Sequence, residues 1–256
     1  MATPLALRVF ESRARVYRKV WRGSVFTGFL SPVLYLLAMG LGLGQLVDQN
    51  LGVDELSYLT FLAPGLLAAT AMQTGAGEGA WQVMAGIKWL KTYEATLATP
   101  VNVDSLVYGH LLWSTARVAM VSVVFAVVMA LFQVTSLGPS LLAVLPALLV
   151  GLALAAATTA FTSRLESDQG LSSLFRFGIV PMFLFSGTFF PIEQLPDWIE
   201  WVAFLTPLYH AVELCRWLAL GSEPVVNPAL SVAYLMAWVA VGTFLSVTGF
   251  RKRLRV

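Results

Sequence analysis

The chain has 256 residues, of which 58% are apolar and only 12% are charged. An ordinary globular domain has about 45–50% apolar and about 25% charged residues, so this composition excludes a soluble enzyme, a disordered chain and a nucleic-acid-binding domain. The net charge of +2 indicates no particular partner, and the one cysteine excludes an intramolecular disulfide and a multi-cysteine metal site. We expect neither metal nor nucleic acid to bind.

Residues 4–22 mix basic and apolar side chains ahead of the first long apolar run. The basic ones are Arg8, Arg13, Arg15, Arg18, Lys19 and Arg22. The mixture predicts an amphipathic helix in the membrane interface, with basic side chains near lipid headgroups; alternatively, these charges only fix the topology. A second basic cluster ends the chain, so the positive-inside rule places both termini in the cytoplasm and requires an even number of spans.

Six apolar runs are long enough to cross a membrane, since a span needs ~20 residues. They are predicted at about 24–47, 58–80, 106–134, 141–161, 171–190 and 228–250. The predicted fold is therefore an all-α polytopic membrane protein, with residues 1–256 forming a single transmembrane domain. Most of the 16 Lys and Arg residues fall at predicted cytoplasmic positions; Arg117 within a span and Arg216 outside are among the exceptions.

Residues 191–220 interrupt this pattern, because prolines and acids divide them into apolar pieces too short to span. Tryptophan and tyrosine, which this stretch contains, concentrate at the membrane–water boundary. Non-helical backbone at that depth requires protein or a water cavity to satisfy its polar groups. The stretch predicts a re-entrant hairpin of two short helices in the outer leaflet; simple anchoring at the interface is the alternative.

The main charged residues inside predicted spans are Glu78, near the inner end of the second, and Arg117, near the inner end of the third. Charges in lipid are costly, so each needs a partner or a pathway. The favoured interpretation is an ion pair that orients the two helices. The alternative is a proton relay through Glu78.

A short cytoplasmic helix is predicted at residues 93–99, between the second and third spans. Pro100 ends it, because proline disfavours helix in the residue before it, and Asp104 is predicted to cap the next helix. An exposed, partly apolar helix in this position suits docking of a partner; a plain connecting loop is the alternative. The sequence has no phosphate-binding loop of the G-x-x-x-x-G-K-[ST] type and no catalytic motif, so the chain is not expected to be an enzyme or to bind ATP itself.

Several segments resemble a known family over nearly the whole chain. The segments are Glu94-Ala-Thr-Leu-Ala-Thr-Pro100, Phe185-Ser-Gly-Thr-Phe-Phe-Pro191, Leu195-Pro-Asp-Trp198 and Leu205-Thr-Pro-Leu-Tyr-His-Ala-Val-Glu213. With the order of spans, they resemble the membrane (permease) subunit of an ABC exporter of the second type, most closely the permeases of nodulation-type lipooligosaccharide exporters. The resemblance implies a half-transporter that pairs with a second permease chain in the cytoplasmic (inner) membrane. Two copies of a separate ABC ATPase subunit would supply ATP and Mg, so this chain would hold no cofactor.

The resemblance also assigns residues. The short inner helix would fit a cleft on the ATPase through Tyr93, Glu94, Ala95, Leu97, Ala98, Thr99 and Pro100. The re-entrant segment would form an outer gate that includes Pro191, Trp198, Trp201, Pro207, Leu208, Tyr209, His210 and Glu213.

The end of the fifth span is the candidate substrate path. Aromatic faces with few charges fit an amphiphile better than an ion, which would need a polar lining. The path residues are Phe183, Phe185, Ser186, Gly187 and Thr188; the small ones either contact a polar headgroup or only let helices pack closely. The cargo is expected to be lipid-linked, an oligosaccharide, another amphiphile or a drug. A proton-coupled carrier and a non-transporting scaffold are the competing functions.

Overall fold

The computed structural model describes residues 4–38, 58–194 and 196–254. All regular structure in these ranges is helical, which confirms the predicted all-α fold for this part of the chain. The helices are α1 (Leu5–Leu37), α2 (Tyr58–Gly77), α3 (Thr92–Leu97), α4 (Val103–Leu131), α5 (Leu137–Leu142), α6 (Val144–Thr162), α7 (Gln169–Leu174), α8 (Val180–Phe185), α9 (Asp197–Phe204), α10 (Pro207–Leu220) and α11 (Pro228–Arg253).

Wider π-helical turns interrupt two of the long helical segments. Glu78–Gln82 and Ala85–Trp89 continue the direction of α2, and Phe175–Ile179 joins α7 to α8. Such turns occur mostly as single insertions in α-helices and are frequent at functional sites. A 3₁₀ turn, Ile192–Gln194, precedes α9.

Three helices in the described ranges are long and apolar enough to cross a membrane by length and composition. They are Val103–Leu131, Leu137–Thr162 (α5 with α6) and Pro228–Arg253. They correspond to the third, fourth and sixth predicted spans. The chain is therefore a multi-pass membrane protein, and the count of six spans stays a prediction.

The N-terminal helix differs from the expected division into an interface helix and a span. α1 runs without interruption from Leu5 to Leu37 through Gly23. A single glycine costs only ~1 kcal/mol in a helix interior, so it does not break a long helix. The outer part of the predicted first span, residues 39–47, lies outside the described residues.

The core forms around α6, which packs against α2, α4, α10 and α11. Small residues set the closest contacts. A Cβ added to Gly75 on α2 would overlap the backbone of Gly151 on α6, and a Cβ added to Gly242 on α11 would lie 2.9 Å from the Cβ of Ala156. Glycine therefore permits these helices to approach closely, as small residues do in membrane bundles.

The helix ends sort into two groups, which we call the coupling end and the hairpin end. At the coupling end, the ring of Tyr93 on α3 lies 5.6 Å from that of Phe250 on α11, and Arg251 forms an ion pair with Asp104 at the start of α4. Lys88 Nζ donates to the Glu166 carbonyl there. α3, α4 and α11 therefore meet at the coupling end.

The hairpin end joins the start of α2 to the region around α8–α10. Tyr58 Oη donates to the Phe189 carbonyl over 3.2 Å, and Thr135 Oγ1 donates to the Ala219 carbonyl over 2.9 Å. Cys215 on α10 is buried and bonds the Ala143 carbonyl. α9 and α10 are short consecutive helices at this end, and their re-entrant path into the outer leaflet stays a prediction.

Candidate functional site

The connection between α3 and α4 is defined by local hydrogen bonds. Thr99 Oγ1 donates to the Thr96 carbonyl over 2.6 Å as α3 ends. Asn102, and not Asp104, caps α4: Asn102 Oδ1 accepts from the Ser105 amide over 2.8 Å. The prediction for Asp104 is wrong because α4 begins at Val103, two residues before the start that a cap at Asp104 would give. Asp104 instead lies in the first turn, where its charge favours the helix dipole, and pairs with Arg251.

Tyr93 anchors α3 to the rest of the protein. Its side chain is buried, and its hydroxyl accepts a hydrogen bond of 2.8 Å from Arg13 Nη2 on α1. Its ring fills a notch at Gly86, where an added Cβ would lie 2.6 Å from Tyr93 Cζ. Burial raises the pKa of the Tyr93 phenol, so the neutral form accepts the bond from Arg13. Tyr93 therefore joins α3, α1 and the π-helical turn Ala85–Trp89.

The other predicted coupling residues divide into exposed and packed positions. Leu97 is partly buried against the cluster that contains Tyr93 and Phe250. The exposed members are Glu94, Ala95, Ala98, Thr99 and Pro100, and we call them the coupling surface. α3 therefore has an exposed surface on one side and the buried Tyr93 ring on the other. A force applied to the exposed surface would reach the rest of the protein through this ring.

Glu78 and Arg117, which lie in the second and third predicted spans, meet beneath this surface. Arg117 Nε lies 3.3 Å from Glu78 Oε1, so the two form an ion pair. The Arg117 guanidinium also lies over the ring of Tyr17 on α1, 4.6 Å from its centroid, a favourable cation–π geometry. α1, α4 and the π-helical turn Glu78–Gln82 thus meet at one pair of charges.

A cavity of about 760 Å³ lies between these elements. α1 supplies Arg8 and Arg13 to its wall, the π-helical turns supply Glu78 and Gln82, and α4 supplies Arg117. α3 and the residues after it complete the wall on the side of the coupling surface. The coupling end therefore contains a cavity with both charged and apolar side chains in its wall, next to the Tyr93 anchor.

The hairpin end is organised by Arg216, a residue on α10. It is only 7% exposed. Its Nη2 donates to the Gly187 carbonyl over 2.6 Å, and its Nε donates to the Phe61 carbonyl over 3.3 Å. Its Nη1 lies 3.5 Å from Oε1 of Glu213, a predicted gate residue. One side chain thus holds the turn after α8 against the start of α2.

The predicted gate residues on α10 pack inward. Pro207 is the first helical residue, after the capping side chain of Thr206. Leu208 and Tyr209 are buried. His210 lies between two partners at 3.1 Å, Ser231 Oγ of α11 and the Phe204 carbonyl of α9. α10 therefore ties α9 to α11.

The remaining gate residues lie on or before α9. Trp201 is 74% exposed, and Pro191 is partly buried. Trp198 belongs to α9, but its side chain lies outside the described part of the chain. α9 thus presents at least one large aromatic side chain away from the core.

The predicted substrate-path residues fall into an aromatic group and a turn. The Phe183 ring contacts that of Phe189 edge-on at 5.0 Å, and Phe185 is 38% exposed. Ser186 and Thr188 are fully buried, and Ser186 Oγ lies 2.8 Å from Thr206 Oγ1. Of the predicted path residues on either side of Gly187, only the two phenylalanines have side chains that are not fully buried.

Gly187 between them has a φ of +74°. This left-handed conformation is readily adopted only by glycine, and an added Cβ would lie 3.0 Å from Ile192 Cγ2. A large side chain at Gly187 would strain the turn. A substitution at this position therefore tests the backbone geometry and not the cargo path.

The family model for the ABC-2 type transporter matches residues 9–220 of this chain. The match begins within α1 and ends at the last residue of α10, so it takes in all of the described helices except α11. The chain belongs to the ABC-2 type transporter family. The resemblance that the sequence segments indicated is therefore confirmed.

Individual relatives agree with this assignment. Nodulation protein J of Rhizobium meliloti (strain 1021) is 32% identical to the permease over 249 residues, which cover 97% of this chain and 93% of that protein. Nodulation protein J of Rhizobium leguminosarum bv. trifolii is 31% identical over 249 residues, with the same coverage of 97% and 93%. The putative transport permease ycf38 of Porphyra purpurea is 27% identical over 215 residues, covering 82% of this chain and 72% of that protein.

Sequence reasoning missed two residues that organise the permease. Arg216 was treated only as an exception to the charge rule. Its signal was a single acid and base three positions apart, Glu213 and Arg216, on an otherwise apolar helix, a spacing that brings side chains together. Arg13 had no signal of its own, because nothing in the sequence separates it from Arg15, which is exposed.

Proposed function

We propose that this permease is the membrane subunit of an ATP-driven exporter, powered by a separate ABC ATPase that docks on the coupling surface. The proposed unit contains two permease chains and two ATPase subunits, with ATP and Mg bound by the ATPases. Each permease would have six spans in the cytoplasmic membrane, with both termini in the cytoplasm. The observation that supports the proposal most strongly is the anchoring of the exposed α3 by the buried Tyr93.

The contacts of Tyr93 give the proposed docking a physical consequence. A force on α3 reaches α1 through the bond between Arg13 and Tyr93. It reaches the extension of α2 through the notch at Gly86. Both elements surround the paired Glu78 and Arg117, so closure of the ATPases would shift α1 and α2 together. Packed interfaces of this kind respond as discrete rearrangements and not as continuous deformation.

Substitutions on the coupling surface test this docking. We expect Glu94→Lys and Ala98→Arg to lower ATP-dependent transport by about tenfold or more, because each places a new charge in the contact, and loss of ~1.4 kcal/mol is tenfold. Both positions are exposed, so the fold should not change. Transport and ATP hydrolysis are measured in vesicles that contain the permease and its ATPase, with Glu223→Lys, the same charge reversal at an exposed position after α10, as the control. Normal transport by both variants would contradict docking here.

The proposed cargo is an amphiphile: a lipid-linked molecule, an oligosaccharide or a drug. The partly exposed Phe183 and Phe185 and the exposed Trp201 support an apolar route with few charges. In this proposal, α9 and α10 form the outer gate, and the turn held by Arg216 is its hinge. Export, and not import, follows the family resemblance.

Labelling of single cysteines tests the proposed orientation. The native Cys215 is buried and bonded to the Ala143 carbonyl, so its background reaction should be low. Pro196, which precedes α9, is exposed. We expect a membrane-impermeant maleimide to label Pro196→Cys from outside intact cells and Ala98→Cys only in inverted vesicles. The reverse pattern would overturn both the topology and the gate.

The competing function, a proton-coupled carrier, places the driving proton on Glu78. The ion pair with Arg117 supports a structural role, because it gives each of two charges inside predicted spans an opposite partner. We expect Glu78→Gln to retain ATP-dependent transport, with lowered stability because Arg117 then lacks its partner. Transport that follows an imposed proton gradient and disappears in Glu78→Gln would favour the carrier. A scaffold would show no transport in either assay.

A further inference from the structure

The backbone of Lys91 separates α3 from the helical turn that precedes it. Lys91 has a φ of +50° and a ψ of +27°, which is the left-handed conformation. Leu90 before it and the residues of α3 after it are right-handed. Within residues 84–98, which the structure describes throughout, Lys91 alone has a positive φ. The conformation of one residue therefore divides this segment into two helices.

The local sequence does not require this break. A residue with a Cβ adopts the left-handed conformation only at a cost, and the residues that adopt it routinely are glycine and, less often, asparagine and aspartate. Lys91 belongs to neither group, and its side chain makes no capping hydrogen bond. No glycine or proline lies between Gly86 and Pro100, and the leucine, lysine, glutamate and alanine residues of that stretch favour helix. Such a conflict between local preference and observed backbone is typical of functional segments.

The Tyr93 anchor explains why the break persists. Gly86 and Tyr93 lie on either side of Lys91, so the chain has to turn between them for the ring to reach its notch. Tyr93 is also the one buried residue of α3, and its hydroxyl accepts the bond from Arg13. Residues 88–92 are all exposed, so packing of the connection itself adds little. The contacts of Tyr93 therefore offset the cost of the left-handed backbone.

We propose that Lys91 is a two-position hinge for the coupling surface. In the first position, which the structure has, Lys91 is left-handed and the Tyr93 ring occupies its notch. In the second position, Lys91 is right-handed and residues 85–97 form one continuous helix, in which Gly86 and Tyr93 lie ~10 Å apart along the axis. Residues 98–102 still connect α3 to α4, since five residues reach up to ~17 Å when extended. The hinge thus moves the coupling surface relative to α1 without unfolding α3.

The hinge deepens the proposed function, and its use by an ATPase rests on that function. An ATPase bound to the coupling surface would favour one of the two positions over the other and so shift their populations. An element with two discrete arrangements responds to such a shift by switching and not by gradual bending. The hinge itself is a property of the permease chain, so it can be measured without the ATPase.

Spin-label distances in the purified full-length permease, in detergent and without an ATPase, test the hinge. The labels are attached to Ala98→Cys on the coupling surface and to Arg15→Cys on α1, both exposed positions, while the native Cys215 is buried. Pulsed electron resonance gives the populations of the distances between the two labels. We expect a second, separate population, which grows when Tyr93→Phe removes the bond to Arg13.

Two substitutions of Lys91 distinguish a hinge from a strained turn that does not move. Lys91→Gly adopts the left-handed conformation freely, whereas Lys91→Ala keeps its cost and favours helix. Both variants remove the lysine charge, so charge does not account for a difference between them. In the Tyr93→Phe background, the ratio of the second population to the first should be at least about tenfold higher in Lys91→Ala than in Lys91→Gly.

Gln133 provides the matched control. It is exposed and has a φ of +56° after the end of α4, so Gln133→Gly and Gln133→Ala make the same changes in backbone preference far from α3 in the sequence. Neither should alter the distances between the labels at Ala98 and Arg15.

Three results would overturn the hinge. The first is a single distance population in every variant, and the second is the same population ratio in Lys91→Gly and Lys91→Ala. The third is an equal shift in the Gln133 variants, which would indicate general loosening of the protein. Because no ATPase is present, these results leave the docking proposal untouched, and failure of the docking experiment would leave the hinge in place.

Discussion

Replacement of Arg216 by alanine is expected to destabilise the permease by about 3–5 kcal/mol, the cost of breaking a buried ion pair by removing one partner. The side chain is buried and donates to the carbonyls of Phe61 and Gly187. Its loss leaves both carbonyls and the Glu213 carboxylate without their cationic partner. The turn at Gly187 would then no longer be held against α2. Thermal unfolding of the purified variant in detergent measures the change.

Two further variants separate the role of Arg216 from a general effect of charge. Arg216→Lys keeps the charge but has no planar fork, so it should recover only part of the stability. Arg176 is exposed, and Arg176→Ala should unfold at the wild-type temperature. An Arg216→Ala variant as stable as wild type would show that the hairpin end is held by other contacts.

Addition of one methyl group at Gly86 is expected to uncouple transport from ATP hydrolysis. The new Cβ would lie 2.6 Å from Tyr93 Cζ, so Gly86→Ala must displace the ring from its notch. Overpacking of this kind costs about 1–3 kcal/mol. The population of molecules with the Tyr93 ring in its notch should therefore fall roughly 5- to 150-fold. The measurement is transport per ATP hydrolysed in vesicles that contain the permease and its ATPase.

Gly178 supplies the matched control, because it also lies in a π-helical turn, Phe175–Ile179. A Cβ there would lie 3.6 Å from Leu174 Cδ1, an ordinary contact, so Gly178→Ala should transport normally. Tyr93→Phe removes only the hydroxyl bonded to Arg13 and should give an intermediate loss. Wild-type coupling in Gly86→Ala would contradict the role given to the Tyr93 anchor.

Much of the helical architecture follows from local features of the sequence. Apolar runs of sufficient length predicted α4, α5 with α6, and α11. The placement of both termini in the cytoplasm, which rests on the basic clusters, stays a prediction. In the structure α1 and α11 both contact Tyr93, through Arg13 and Phe250. The proline-broken segment was expected as two short helices, and α9 and α10 occupy those positions.

The site was harder to predict because its residues act through partners that are distant in the sequence. Glu78 and Arg117 were paired correctly, since isolated charges in apolar helices have few alternatives. Tyr93 was expected on an exposed docking helix, but it is buried, because the notch at Gly86 is 7 residues away along the chain and became visible only in three dimensions. The π-helical turns have no sequence signature that separates them from α-helix.

Crosslinking from the coupling surface tests most directly that a separate ATPase drives this permease. A photoreactive amino acid at Ala98, which is exposed, is activated in native membranes, and the crosslinked protein is identified by mass spectrometry. Leu137, which is exposed at the opposite, hairpin end, carries the same probe as the control. The account predicts a crosslink from Ala98, and not from Leu137, to a protein with the phosphate-binding loop of an ABC ATPase. An ATPase captured only from Leu137, or none from Ala98 in membranes that carry out transport, would contradict it.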